Sequence, residues 1–352
     1  MRAIGACAPR KAARQRRGDA RSARTGNVAT LSPATRHRRV VRRAACHTAR
    51  VSRPIVLAFP GQGSLEPGVG RPWADRDAFA AVRAVGDASG IDVAHLVVDG
   101  DLDDLVATEH AQLATLALSL CVLDATGLQP DADLALGHSL GEYTALVAAG
   151  VLQRDAAARL VAVRGAAMRD AAAAVPGGLV AMLGGDAALA EAACEQVDGA
   201  YVANLNGPGQ VVLGGRTDVL ASLADRAREL GFRRAIPLRV AGAFHTPLMA
   251  PAAAALAPAL QQAAFEKGAM GVLANVDGAV HEDPAEWPAL LLRQLTTTVD
   301  FHACVLGLPT GAAVVECGPG GVLKGLIARI RDDLDVVSVG TPGDLGAVAG
   351  VR

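Results

Sequence analysis

The sequence is poor in aromatic residues. Its 352 residues include only two tryptophans, two tyrosines and six phenylalanines. The core must therefore be built from alanine, valine and leucine, and aromatic platforms that stack nucleic-acid bases are not expected. No uncharged apolar run approaches the roughly 18 residues of a membrane-spanning helix. We therefore expect neither a nucleic-acid partner nor a membrane span.

Cysteine is sparse and unpatterned. No Cys-x-x-Cys pair occurs, whereas disulfide-rich domains and cysteine zinc sites use closely spaced cysteines. Reduced thiols in a cytoplasmic protein fit this pattern, and no metal or cofactor site is apparent. The six cysteines are Cys7, Cys46, Cys121, Cys194, Cys304 and Cys317.

The chain has almost no net charge, −1, but its charges are unevenly divided. Residues 1–53 hold fourteen arginines and Lys11 against Asp19, which gives +14; the remainder holds 19 basic and 34 acidic residues, which gives −15. Because the basic stretch lacks apolar periodicity, we predict a disordered extension. The alternatives are a transit peptide, a nucleic-acid-binding arm, or a true start of translation at Val40 or Val51.

The acidic remainder has the pattern of an α/β fold. Short apolar runs predict strands at Ile55–Phe59, 134–136, 272–275 and 312–316, separated by helical stretches. Strands that alternate with helices are typical of a parallel sheet.

A different pattern runs from residue 177 to 240. Predicted strands at 179–183, 200–205, 211–213 and 234–240 and helices at 187–197 and 219–230 give the order β-α-β-β-α-β of a ferredoxin-like unit. We predict a small ferredoxin-like domain at 177–240 inserted in a large domain at 54–176 and 241–340, followed by a C-terminal tail at 341–352.

The stretch GHSLGEY, residues 137–143, places Ser139 between two glycines in a strand–turn–helix setting. This is the setting of a nucleophile elbow, where the helix N-terminus can stabilise an oxyanion. A glycine-rich turn without catalysis is the alternative. A nucleophilic serine needs a base; we expect His138 to point away from Ser139 and His245 to line a cleft. The other candidate histidines are His95, His110, His281 and His302.

Seven stretches occur in a fixed order: FPGQGS, GHSLGEY, VAVRGAAM, NLNGPGQVVLGG, GAFHTPLM, LLRQLTTTVDF and ECGPGGVLKGLI. Over about residues 54–339 the chain closely resembles malonyl-CoA:acyl carrier protein transacylases and the acyltransferase domains of fatty-acid and polyketide synthases. The resemblance implies a hydrolase-like large domain. It also implies malonyl transfer from malonyl-CoA to the phosphopantetheine thiol of acyl carrier protein, through a serine ester and without a cofactor. We expect a monomer.

The resemblance implies roles for individual residues. Ser139 would be acylated, His245 would be its general base, and Gln294 would hold that histidine, largely through its main-chain carbonyl. Gln62 and the N–H of Leu140 would form the oxyanion hole.

Three further residues would bind the substrate. Arg164 would pair with the free carboxylate of malonate, which a guanidinium can hold by two hydrogen bonds; a helix-surface arginine is the alternative. Phe244 would crowd a methylmalonyl group, or simply pack in the core. Asn206, with Asn204, would hold the acyl or pantetheine portion, or cap a turn. The glycines at 318–321 fit a strand–helix turn.

The acidic body would repel an acidic carrier protein, so docking needs a local basic patch. Candidates are Arg226, Arg228, Arg233, Arg234, Lys324 and Arg329, for which a solvated face is the alternative. An acyl-thioester hydrolase with the same serine and histidine, a non-catalytic docking module, and a transacylase subunit of malonate decarboxylase are the competing functions. The carboxylate anchor Arg164 favours malonyl transfer over a general esterase.

Overall fold

The computed structural model describes residues 53–63 and 65–351. The predicted basic extension therefore lies outside the described residues, except for Arg53. The Arg53 guanidinium donates hydrogen bonds to Asp335, at 2.7 Å, and to the carbonyl oxygen of Gly350, at 3.0 Å. Arg53 thus belongs to the folded part of the chain.

Two sheets organise the described residues. The larger has six strands in the order β11-β10-β1-β2-β7-β8, parallel except for β8, and the smaller has five in the order β6-β3-β5-β4-β9. In chain order the strands are β1 (Ile55–Phe59), β2 (Leu134–Gly137), β3 (Gly177–Leu183), β4 (Ala200–Leu205), β5 (Gln210–Arg216), β6 (Arg234–Pro237), β7 (Gly271–Leu273), β8 (Val280–His281), β9 (Val299–Asp300), β10 (Ala313–Cys317) and β11 (Asp335–Val339).

Helices cover both faces of the large sheet. The central strand β1 is buried at every position, and its side chains alternate between two apolar cores, as expected for a parallel strand covered on both faces. The α-helices are α1 (Ala80–Ser89), α2 (Val93–Asp99), α3 (Leu102–Val106), α4 (Thr108–Thr126), α5 (Gly141–Ala148), α6 (Arg154–Ala174), α7 (Ala187–Cys194), α8 (Thr217–Asp225), α9 (Ala250–Gln262), α10 (Trp287–Thr296), α11 (Phe301–Leu306) and α12 (Val322–Ile330).

The small sheet packs one face into the main core and the other against its own helices. Leu179, Ala181 and Ala203 join the main core, whereas Val180 and Met182 pack with α7 and α8. Strands β3 to β6 follow the predicted order of elements. The predicted strand at 234–240 is shorter than expected and ends at Pro237. The fifth strand, β9, comes from beyond residue 240 and pairs in parallel with β4.

The last described residues also belong to the body. The stretch predicted as a C-terminal tail forms a 3₁₀-helix at Pro342–Gly350, and Val348 and Val351 are buried in the main core. Within the described residues no helix is long and apolar enough to cross a membrane. The same residues contain no cluster of three or more histidine, cysteine or acidic side chains that could hold a metal ion.

Candidate active site

The turn between β2 and α5 carries Ser139 at the carboxyl end of the large sheet. Ser139 has φ = 52°, in the left-handed region that residues other than glycine rarely adopt. A side chain at Gly137 would overlap the backbone of Gly141, and one at Gly141 would overlap the carbonyl group of Phe59. The Gly-x-Ser-x-Gly spacing therefore reflects a turn too tight for side chains at the glycine positions.

Ser139 is hydrogen-bonded to His245. The serine Oγ lies 2.8 Å from His245 Nε2, and His245 Nδ1 lies 2.7 Å from the carbonyl oxygen of Gln294. Because a carbonyl oxygen only accepts hydrogen bonds, Nδ1 carries the hydrogen and Nε2 can accept the serine proton. Burial, together with the charge of Arg164, lowers the pKa of His245 to about 3, so the imidazole is neutral at pH 7.

Ser139 and His245 share an unusual backbone conformation. Among the described residues, Ser139 and His245 (φ = 60°) are the only non-glycine residues with a positive φ. Such conformations are unfavourable and tend to cluster at functional sites. The geometry and the strain both single out these two residues.

Arg164 reaches the serine from helix α6. Its Nη2 donates to Ser139 Oγ at 3.2 Å and to Gln294 Oε1 at 3.0 Å, and its Nη1 donates to Gln112 Oε1. The alternative of a surface arginine is wrong, because Arg164 is only 1% exposed. Burial lowers its pKa, and no described carboxylate is paired with it. A buried guanidinium beside a nucleophile suits an anionic ligand.

A cavity of about 300 Å³ opens beside Ser139 and His245. Phe244 and Asn206 line it, as do the apolar side chains of Met168 and Leu179. The remaining predicted residues Leu140, Arg164 and Gln294 are buried and do not line it.

His138 and Gln62 line the same cavity. His138 Nε2 lies 2.9 Å from Asn206 Oδ1, so this histidine bonds away from Ser139, as expected. Gln62 Oε1 accepts a hydrogen bond from Thr108 Oγ1 at 3.0 Å. That contact leaves the amide N–H groups of Gln62 available to a ligand. The other candidate histidines, His95, His110, His281 and His302, do not line the cavity.

The basic docking candidates lie in two places. Lys324 and Arg329 are exposed on α12, whose residues Val322 and Leu326 line the cavity. The other four lie on the small-sheet side, at the end of α8 and near the start of β6. The structure therefore does not gather all six into one patch at the cavity.

Several residues of the site carried no assigned role in the sequence analysis. Asn275 Oδ1 accepts from the backbone N–H of Ser139 at 2.7 Å, and the Glu142 carboxylate lies beneath the elbow. On α4, Thr108 and Gln112 connect Gln62 to Arg164. Thr108 and Gln112 could have been found from the sequence because they are polar residues in the largely apolar stretch that forms α4. Fifteen of its nineteen residues are buried, and buried polar groups need partners.

The model of the acyl transferase domain family matches residues 56–339, which includes every residue of this site. The chain belongs to the acyl transferase family. The resemblance predicted from the seven stretches is confirmed.

Named relatives of this acyl transferase cover most of its length. A malonyl CoA-acyl carrier protein transacylase of Bacillus subtilis is 36% identical over 300 residues, 82% of this chain and 94% of the relative. The crystal structure of an acyl-carrier-protein S-malonyltransferase from Bartonella henselae has a TM-score of 0.79 at 33% identity, covering 85% of this chain and 99% of the other.

A further solved structure contains a malonyl-transacylase in complex with its type II polyketide-synthase acyl carrier protein. It has a TM-score of 0.78 at 32% identity and covers 85% of this chain and all of the other. This acyl transferase therefore shares its α/β fold with mixed sheets with structures named for malonyl transfer.

Proposed function

We propose that this acyl transferase moves a malonyl group from malonyl-CoA to the phosphopantetheine thiol of an acyl carrier protein, for fatty-acid or polyketide synthesis. His245 Nε2 takes the Ser139 proton as Oγ attacks the thioester carbonyl; the C–S bond then breaks, and His245 returns the proton to the CoA thiolate. The reverse sequence, with the carrier thiol as nucleophile, releases malonyl-carrier and restores Ser139.

The buried position of Arg164, 3.2 Å from the nucleophile, is the observation that carries this proposal. A malonyl group on Ser139 ends in a free carboxylate, which a guanidinium can hold by paired hydrogen bonds. The bound carboxylate would also offset the positive charge that helps to lower the pKa of His245. Substrate binding would thereby strengthen the base.

The oxyanion hole is assigned to the Gln62 side chain and the Leu140 N–H. Support comes from the hydrogen bond that the amide oxygen of Gln62 accepts from Thr108 Oγ1. With its oxygen engaged there, the amide can donate through its N–H groups to an oxyanion. Phe244, on the cavity wall, would crowd the additional methyl group of methylmalonyl. One methyl group is worth only about 1–3 kcal/mol, so this selectivity is modest.

The carrier would dock at the mouth of the cavity. Support comes from α12, where Val322 is 49% exposed on the cavity lining and Lys324 is exposed nearby. A cation beside an apolar rim suits an acidic protein that delivers a thiol. Lys324→Glu should raise the KM for the carrier more than the KM for malonyl-CoA, and an equal effect on both would place docking elsewhere.

We also propose that the fold consists of two domains. The order β6-β3-β5-β4, with α7 and α8 on one face, supports a ferredoxin-like domain at 177–240. The serine turn between β2 and α5 supports a hydrolase-like large domain at 54–176 and 241–340. Free thiols at Cys121, Cys194, Cys304 and Cys317 support a cytoplasmic protein, and a monomer stays a prediction.

Intact-protein mass spectrometry after mixing with malonyl-CoA tests the proposal. We expect a malonyl increment on the wild type and none on Ser139→Ala, whose loading should fall at least about a thousandfold. When holo-carrier is added, the malonyl increment should disappear from the enzyme and appear on the carrier. Free malonate in place of malonyl-carrier would favour the hydrolase, and absence of both adduct and turnover would favour a non-catalytic module.

A further inference from the structure

A buried carboxylate without an assigned role lies directly beneath the serine turn. Glu142, on the first turn of α5, is 1% exposed. Its Oε1 accepts from the backbone N–H of Asn275 at 2.7 Å, and its Oε2 accepts from Gln294 Nε2. Burial raises its pKa to about 7. Burying an acidic group is unfavourable unless hydrogen bonds or an opposite charge compensate for the lost hydration.

One partner, Gln294, contacts three residues of the candidate site, Ser139, Arg164 and His245. Its Nε2 donates to the carbonyl oxygen of Ser139 at 2.8 Å, its Oε1 accepts from Arg164 Nη2 at 3.0 Å, and its main-chain oxygen accepts from His245. Side-chain and main-chain atoms of this residue therefore serve different neighbours. Changing the side-chain amide leaves the carbonyl that faces His245.

Glu142 and the carbonyl oxygen of Ser139 together determine which way this amide faces. A side-chain amide can exchange its oxygen and nitrogen by rotation, but an ionised carboxylate and a carbonyl oxygen only accept hydrogen bonds. With these two acceptors on one side, Gln294 Nε2 must face them, and Oε1 must face Arg164. If the amide were reversed, its NH₂ group would meet the guanidinium, donor against donor, and Arg164 would lose an acceptor.

We propose that Glu142 is a positioning residue for acyl-group selectivity: through the Gln294 amide it helps to hold Arg164 where the free carboxylate of the acyl group binds. The inference rests on the proposed malonyl transfer. Glu142 does not touch the acyl group itself. Its effect on malonyl loading therefore passes through Arg164, whereas a neutral acetyl group gains little from it.

The test compares rates of acyl-enzyme formation from malonyl-CoA and acetyl-CoA. Glu142→Gln should lower the malonyl-to-acetyl ratio about tenfold, since one charge-linked hydrogen bond is weakened. In an Arg164→Ala background the same substitution should leave the ratio unchanged. The matched control is Glu316→Gln, because Glu316 is equally buried but accepts from the backbone N–H groups of Leu323 and Lys324. That control should keep the wild-type ratio.

An unchanged ratio in Glu142→Gln, or an equal fall in the Arg164→Ala background, would overturn the inference. Failure of the wild type to load malonyl would instead overturn the proposed function. Should Glu142→Gln not fold by circular dichroism, Gln294→Leu tests the same connection and keeps the carbonyl that faces His245. It should lower the ratio by a similar factor, and an unchanged ratio there would equally reject the proposal.

Discussion

Two turns of the large sheet, which follow the strands on either side of β1, have the same form but hold different residues. Both β2–α5 and β10–α12 run from a buried parallel strand through a turn into a helix, and each has a buried glutamate. Glu316 accepts hydrogen bonds from the start of its own helix, α12. Glu142 accepts from residues of other elements, and those residues contact Ser139, His245 and Arg164.

The two turns also differ in which residues adopt positive φ. In the β10–α12 turn these are glycines, Gly318, Gly320 and Gly321, for which the conformation is inexpensive. In the β2–α5 turn it is Ser139. A non-glycine residue in a strained conformation indicates that its side chain is needed at that position. Glycines in the same conformation are needed only for the shape of the turn. Substitutions at and around each turn test this distinction.

Arg164→Ala should have the largest effect at the β2–α5 turn, because the Arg164 side chain contacts Ser139 there. Removing a paired guanidinium contact to a carboxylate should lower malonyl loading about a hundredfold more than acetyl loading, from a loss of about 3 kcal/mol. Arg164→Lys should restore only part, because an ammonium lacks the paired geometry. Rates of acyl-enzyme formation measure both, and equal losses for the two acyl groups would reject the carboxylate role.

His245 should make stability depend on pH. Its pKa is about 3 in the folded chain and 6.5 without burial, so below pH 6.5 only the unfolded chain gains this proton. Stability should therefore fall as pH falls from 6.5, by up to about 1.4 kcal/mol per pH unit. Glu142, with its raised pKa, acts oppositely and weakens stability as pH rises through 4.5 to 7.

Because these two effects overlap, the measurement compares the wild type with His245→Gln. Urea unfolding at pH 7, 6 and 5 should show the wild type losing stability relative to the variant at each step. Parallel pH dependences would mean that His245 is accessible to protons in the folded chain.

The sequence predicted the parts of the site that lie in local motifs. The glycines around Ser139 indicated a tight elbow, and the order of seven stretches identified the family. The role of Asn275 could not be predicted, because its contact with Ser139 depends on β7 lying beside β2. That pairing joins distant parts of the chain. Strand β9 has two residues, too few for any periodic pattern, so the fifth strand of the small sheet could not be predicted either.

Gly321→Ala, in the β10–α12 turn, should affect loading least. Gly321 has φ = 62°, and an added Cβ would meet nothing nearer than the movable Ser338 Oγ at 3.3 Å. The substitution should therefore destabilise the fold by about 1–2 kcal/mol through backbone strain alone, while malonyl loading changes less than twofold. Ser139→Ala should do the reverse, removing loading with little change in unfolding free energy. Loading that fell with Gly321→Ala as it does with Ser139→Ala would mean that both turns, and not only the serine turn, shape the reacting site.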